Sequence, residues 1–162
     1  LRLLRDIALG IVAVVALFFA TYRVGVWADN RGYAARVFDE VVQYNNVVAS
    51  VRWSRKMYGS HCSYAVVEIS PDAPVVPPSR LPIGREEIHS FGGPWAPTPA
   101  AGLDGWTGDG PWTICRLIMG DKLFERLDEA MRLPDGWWIE RGSEVHFYSV
   151  AAGLAFRIRD LT

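Results

Sequence analysis

An uncharged run from Ile7 to Tyr22, preceded by the charged head LRLLRD, constrains this chain more than any other feature. At about 1.5 Å of rise per residue it makes roughly 24 Å of helix, somewhat short of the ~30 Å hydrocarbon core of a bilayer. Arg23 does not end it. The aliphatic stem of that arginine can reach the interface while Val24, Val26 and Trp27 prolong the apolar surface, and Tyr22 and Trp27 suit a head-group belt. A single span is the expectation. Arg2 and Arg5 ahead of the run favour a cytoplasmic N-terminus, which puts everything after Arg23 outside the cytoplasm. A cleaved signal peptide is the competing reading, but neither a proline nor a turn cluster separates the run from the helical pattern after Arg23.

From Val24 to Arg52 the apolar positions Trp27, Ala34 or Ala35, Phe38, Val41 or Val42, and Val48 recur in steps of three and four, which predicts that the helix continues with one apolar face. That face is expected to cover the sheet of its own domain. Gly10, Gly25 and Gly32 each cost about 1 kcal/mol relative to Ala inside a helix, and mark places for close helix approach or local melting. The length leaves room for one modest globular domain beyond this stalk. A net charge of −1 with acids and bases interspersed excludes the basic excess of a nucleic-acid binder and the polybasic cluster of a peripheral lipid binder.

The helix is expected to fade near Met57 to Ser60, where Gly59 offers a cap. Ser63 to Ile69 then reads as a strand. Ser70 to Pro82 holds too many prolines for helix or central strand, and Phe91 to Trp112, rich in Gly, Pro and Trp, is irregular. Ile114 to Met131 reads as helix, with Gly120 a point of division, and Leu133 to Gly136 ends it by turn chemistry. Trp137 to Glu140, Glu144 to Val150 and Leu154 to Asp160 read as strands, the last two as an antiparallel hairpin around Ala151 to Gly153. The class is therefore α+β: a long N-terminal helix on a mostly antiparallel sheet.

Cys62 and Cys115 fall in the part placed outside the cytoplasm, where a disulfide is favoured. It would tie the end of the long helix to the start of the second, closing a loop of roughly 50 residues for about 4 kcal/mol in the chain-entropy account. Metal binding by Cys62 with His61 and Cys115 is the alternative, without C-x-x-C or H-x-x-x-H spacing behind it. Glu86, Glu87 and His89 could supply acid and base, but no nucleophile motif or phosphate loop accompanies them. Asp104 and Asp109 lack the alternating acids and closing Glu of a calcium loop. Trp95, Trp106, Trp112, Trp137 and Trp138 could stack on sugars or on a protein, and packing over the sheet is the simpler role. Neither an enzymatic activity nor a cofactor is expected.

The opening LRLLRDIALGIVAVVALFFA, with Leu3 and Leu4 ahead of the apolar run and a helix continuing to about Met57, resembles a mature type IV pilin, particularly the type IVb kind whose first residue need not be Phe. The lack of an initial Met agrees with processing by a prepilin peptidase, and a truncated chain would look the same. Phe91, Gly92 and Gly93, then Cys115 with Leu117, and later the Trp137 strand are similar to the C-terminal half of type IVb and conjugative pilins. The resemblance implies a pilin-like fold in which residues 1–23 are the membrane-spanning or filament-core half of the helix and residues 24–162 a globular extracytoplasmic domain. It further implies a homo-oligomeric helical filament of identical subunits, held in the inner membrane before assembly and extracellular afterwards. The expected partners are the prepilin peptidase and the pilus assembly machinery, with no nucleic acid required.

Two positions depart from that pattern. The family usually carries Glu at the fifth mature position, where it is thought to pair with a neighbour's N-terminal amine; here Arg5 stands there and Asp6 is next, turned about 100° around the helix and one methylene shorter. Leu1, Arg5 and Asp6 are thus the assembly residues the resemblance implies. Family members commonly bridge cysteines within the C-terminal region, whereas Cys62 is expected at the end of the first helix. Two other functions share the anchor and outward domain: a single-span accessory subunit of a membrane complex, and a secretion-system pseudopilin or minor pilin present in few copies.

Overall fold

The computed structural model describes residues 2–52, 54, 61–78, 89–99 and 112–161. It opens with one long helix, α1 (Arg2–Phe38), which runs without interruption through Arg23 and Val24. Among the described residues six strands come after it, β1 (Tyr44–Val51), β2 (His61–Ile69), β3 (Ala96–Pro97), β4 (Trp137–Arg141), β5 (Glu144–Ser149) and β6 (Leu154–Leu161). Among the described residues two helices, α2 (Thr113–Met119) and α3 (Asp121–Arg132), lie between β3 and β4 in the chain. The sheet order is β1-β2-β6-β5-β4-β3, with every neighbouring pair antiparallel. The α+β class and the pilin-like arrangement of a long apolar helix on an antiparallel sheet are both present.

The helix does not continue to Arg52. It ends at Phe38, whose carbonyl accepts the N–H groups of both Val41 and Val42 at 2.9 Å, and residues 44–51 form β1 instead. The reason is local. Asn45 and Asn46 compete with helical hydrogen bonding, and Val47, Val48 and Val51 are β-branched and fit a pleated surface. The spacing of Val41, Val42 and Val48 that looked helical arises from a turn leading into a strand. The segment where a C-terminal cap was expected, at Gly59, and the Asp104, Trp106 and Asp109 stretch lie outside the described residues, as do Glu86 and Glu87.

Period-two alternation divides the sheet into two faces, and both are covered. Tyr33, Ala34, Val37 and Phe38 of α1 pack on Ala65, Val67, Ile69, Tyr148 and Ala155, with Phe91 beside them. The small side chains of Ala65 and Ala155 let the helix come close. On the opposite face Cys115, Phe124, Leu127, Ala130 and Met131 of α2 and α3 pack on Tyr64, Val66, Val145, Phe147, Phe156 and Ile158. The result is three layers. Gly120 separates α2 from α3 at φ 82°, a conformation that favours glycine, while its N–H still closes α2 on the Arg116 carbonyl at 2.9 Å. Asp121 at the start of α3 and Arg132 at its end complement the helix dipole. Asp135, at φ 66°, makes the turn into β4.

Cys62 and Cys115 form a disulfide with an S–S distance of 2.09 Å and a Cα–Cα distance of 5.1 Å. Cys62 lies in β2, not at the end of the long helix, so the bridge pins α2 to the sheet rather than joining two helices. With both sulfurs consumed, the alternative of a metal held by His61 and the two cysteines falls away. Among the described residues no group of three or more His, Cys, Asp or Glu is placed to hold a metal.

Candidate functional site

From Arg5 to Gly25 every α1 residue with a described side chain is exposed, and the apolar ones point in all directions around the helix. An 18-residue window of this helix is apolar enough to cross a membrane and 0% buried against the rest of the chain. Such a surface is at home in lipid or among other apolar helices, not in water. The Thr21 hydroxyl bonds back to the Leu17 and Phe18 carbonyls at 3.0 and 2.9 Å, so this side chain carries no unmet polar group into an apolar setting. No heavy atom lies within 4 Å of a Cβ built on Gly10 or Gly25, which leaves both open to close approach by another helix. At the head, Arg5 and Asp6 touch at 3.3 Å and both are exposed, while Leu1 lies outside the described residues.

The exposed half meets the domain at a polar clasp built by the helix end nearest the sheet and by the last residues of β1. The Asp29 carboxylate accepts from Arg36 at 2.6 Å and from Arg52 at 3.1 and 3.2 Å. Asn30 Oδ1 accepts the Arg52 N–H at 2.9 Å. Between them the Ser50 hydroxyl accepts the Ala34 N–H at 2.9 Å and donates to the Asn30 carbonyl, the two groups that an α-helix pairs with each other. Ser50 is therefore wedged into the hydrogen-bond ladder of α1. At the far end of β1 the Tyr44 hydroxyl donates to Asp39; burial and that carboxylate push the phenol up to about 12.

Higher on the same face, Tyr33 of α1 reaches a buried charged cluster. Arg157, fully buried, contacts the Tyr33 hydroxyl and donates to Glu144 at 2.7 Å; Arg159 lies 3.1 Å from the same carboxylate. His146 Nε2 sits 3.3 Å from Glu144, and its Nδ1 accepts the Gly92 N–H at 3.3 Å. That pair of partners requires a neutral imidazole protonated on Nε2. Burial holds the His146 pKa below its usual range against the pull of Glu144, with Arg157 and Arg141 adding to the depression. Burial opposes the Glu144 carboxylate, but the His146 hydrogen bond and the adjacent Arg157 and Arg159 outweigh it and keep the carboxyl below its ordinary value. Phe91 stacks on His146 at 5.4 Å and meets Phe38 edge-on at 4.9 Å. The cluster is a fastening between helix, loop and sheet, with Arg157 and His146 fully buried and Arg159 at its partly exposed edge.

His89 lies beside Tyr33 with ring centroids 6.1 Å apart. Trp95 donates to the Pro78 carbonyl at 2.7 Å, Trp112 is buried, and Trp137 and Trp138 pack from opposite sides of the sheet. Neither the clasp nor the charged cluster was visible in the sequence pattern. Arg157 alternates with Phe156 and Ile158, which is what a solvent-facing position also does.

No family model matches the chain, and neither a curated protein nor a solved structure matches it.

Proposed function

We propose that this chain is a structural subunit of a type IV pilus-like surface filament, held in the inner membrane by α1 before assembly and cohering afterwards through helix packing. The observation that carries the reading is a single helix of which one half is bare and apolar all round while the other half is the core of its own domain. Such a subunit is complete only when the bare half is covered, first by lipid and then by siblings. Burial of that half supplies cohesion on the order of 25 cal/mol per Å² of apolar surface removed from water. In this reading residues 1–23 form the filament-core half and residues 24–162 the extracytoplasmic domain. Leu1, Arg5 and Asp6 serve assembly; a prepilin peptidase and an assembly machinery are the partners; no catalytic step or cofactor is involved. Electron microscopy of sheared surface fractions tests it: filaments labelled by an antibody to this domain are the expected result, and a detergent-bound monomer as the sole native form overturns it.

A single-span accessory subunit of a membrane complex is the second reading, favoured by the interfacial residues Arg23, Trp27 and Arg31 on one face of α1. The coding sequence upstream of Leu1 separates the two. A short basic leader ending in Gly supports the filament, and an initiator Met directly before Leu1 supports the anchor.

A further inference from the structure

We infer that the membrane-proximal end of the groove between α1 and β1 seats the phosphate of an anionic phospholipid, at the level where the helix leaves the bilayer. The inference rests on the bilayer-resident stage of the proposed function. The groove has a volume of about 680 Å³ and is lined by Trp27, Asn30 and Arg31 of α1 and by residues 44–50. That is the size range of small-molecule sites. At its membrane-proximal end the lining offers the Arg31 guanidinium, the Trp27 indole and the Asn30 side-chain amide, and the lining as a whole holds no carboxylate. The acids nearest to it are engaged: Asp29 by Arg36 and Arg52, Glu68 by Arg126 at 3.2 Å and Asn46 at 3.4 Å, and Asp39 by Tyr44. A concavity that carries a guanidinium and whose nearest acids are already paired favours an anion.

Its height selects a lipid as the source of that anion. Counting from Tyr22 at the end of the apolar run, Trp27 and Arg31 lie roughly 8 and 14 Å further along the helix. Helical side chains lean toward the N-terminus, and the Arg31 guanidinium does so, lying 5.3 Å above the Trp27 ring. The charge is thus drawn back to the level of the indole, within the head-group layer of about 5 to 8 Å on each side of the hydrocarbon. Arg23 occupies the same face one turn below Trp27, so two guanidinium groups bracket the indole at positions i, i+4 and i+8. Among the described residues neither Arg23 nor Arg31 makes an ion pair. Two arginines are not the polybasic cluster of a peripheral lipid binder; the span anchors the chain and the groove chooses its neighbours.

The test uses the full chain reconstituted in phosphatidylcholine vesicles carrying a fraction of phosphatidylglycerol, then detergent extraction and native mass spectrometry of retained lipid. Each arginine near the surface is worth about a fivefold preference, so the wild-type chain should retain phosphatidylglycerol about 25-fold over its share of the mixture. Arg31→Gln and Arg23→Gln should each lose about fivefold of that preference, and Lys122→Gln, exposed on α3, should lose none. All three positions are exposed, and circular dichroism confirms that each variant remains folded. A chain that inserts but retains the two lipids in proportion overturns the seat and leaves the membrane reading standing. So does an inserted Arg31→Gln chain with unchanged retention. Displacement of the lipid by millimolar inorganic phosphate assigns the groove to a soluble anion and overturns the lipid assignment. A chain that enters no vesicle overturns the membrane reading together with the seat.

Discussion

Phe18 and Phe38 belong to the same helix, yet Phe18 is 68% exposed and Phe38 is 0% exposed. The contrast runs through all of α1: one half turns apolar side chains outward in every direction, and the other turns four of them onto a sheet and its polar residues into a clasp. Hydrophobicity alone does not separate the halves. What separates them is whether the chain supplies the covering surface itself, through β2, β5 and β6, or leaves it to something outside.

Substitution at those two phenylalanines offers the sharpest way to break the comparison. Phe38→Ala removes a fully buried ring and should destabilise the domain by about 3 to 5 kcal/mol in urea titrations monitored by near-ultraviolet circular dichroism. Phe18→Ala should leave that transition within about 0.5 kcal/mol and act only on vesicle insertion or filament yield. Equal effects of the two would mean that the bare half also folds against the domain.

Glu144→Gln tests the fastening of the domain-bound half. It leaves Arg157 buried without its counter-charge and should cost about 3 to 5 kcal/mol. The pH dependence has a definite sign. Glu144 and His146 both have folded pKa values below their ordinary 4.5 and 6.5, so the unfolded chain takes up each proton first as the pH falls. Their stabilisation is therefore full above about 6.5, weakens below it as unfolded His146 is protonated, and is lost as the pH falls through the folded pKa of Glu144. Chemical denaturation across this window should show the decline, and Glu144→Gln should remove its acid limb.

Replacing both cysteines, Cys62→Ser with Cys115→Ser, should cost about 2 to 4 kcal/mol and loosen α2 from β2 while leaving the clasp on α1 intact, as read by amide hydrogen exchange. Ser50→Ala should have the smallest effect, about 1 to 2 kcal/mol, with unchanged helix content, because the Ala34 N–H can then bond the Asn30 carbonyl directly.

The bare half was legible from its sequence because continuous apolarity needs no tertiary context to be read. The strands from Trp137 onward, the division at Gly120 and the disulfide pairing were legible for similar local reasons: alternation, a glycine within a helical pattern, and two cysteines without metal-ligand spacing. The end of α1 was not, since a turn at Asp39 to Val41 leading into a strand reproduces the three-and-four spacing of a helix over the few apolar residues involved. The charged cluster stayed hidden for another reason. Alternation shows that Arg157 and Phe156 face opposite ways, but only the fold shows that both faces are covered.

The Ser50 wedge and the Asp29–Arg52 pair fix how mechanical load enters the molecule. Ser50 lies beside Asn30 and Tyr44 beside Phe38, so β1 runs back alongside α1, antiparallel to it. A pull on the free end of the helix is handed to the strand along its own axis. The strand is paired with β2 from Tyr44 to Val51, so the ladder is sheared with its bonds resisting together instead of being unzipped one by one. From β2 the covalent bridge at Cys62 passes the load on to α2. The half of the helix that meets the outside world is thus tied, through β1, into the sheet that the other half covers.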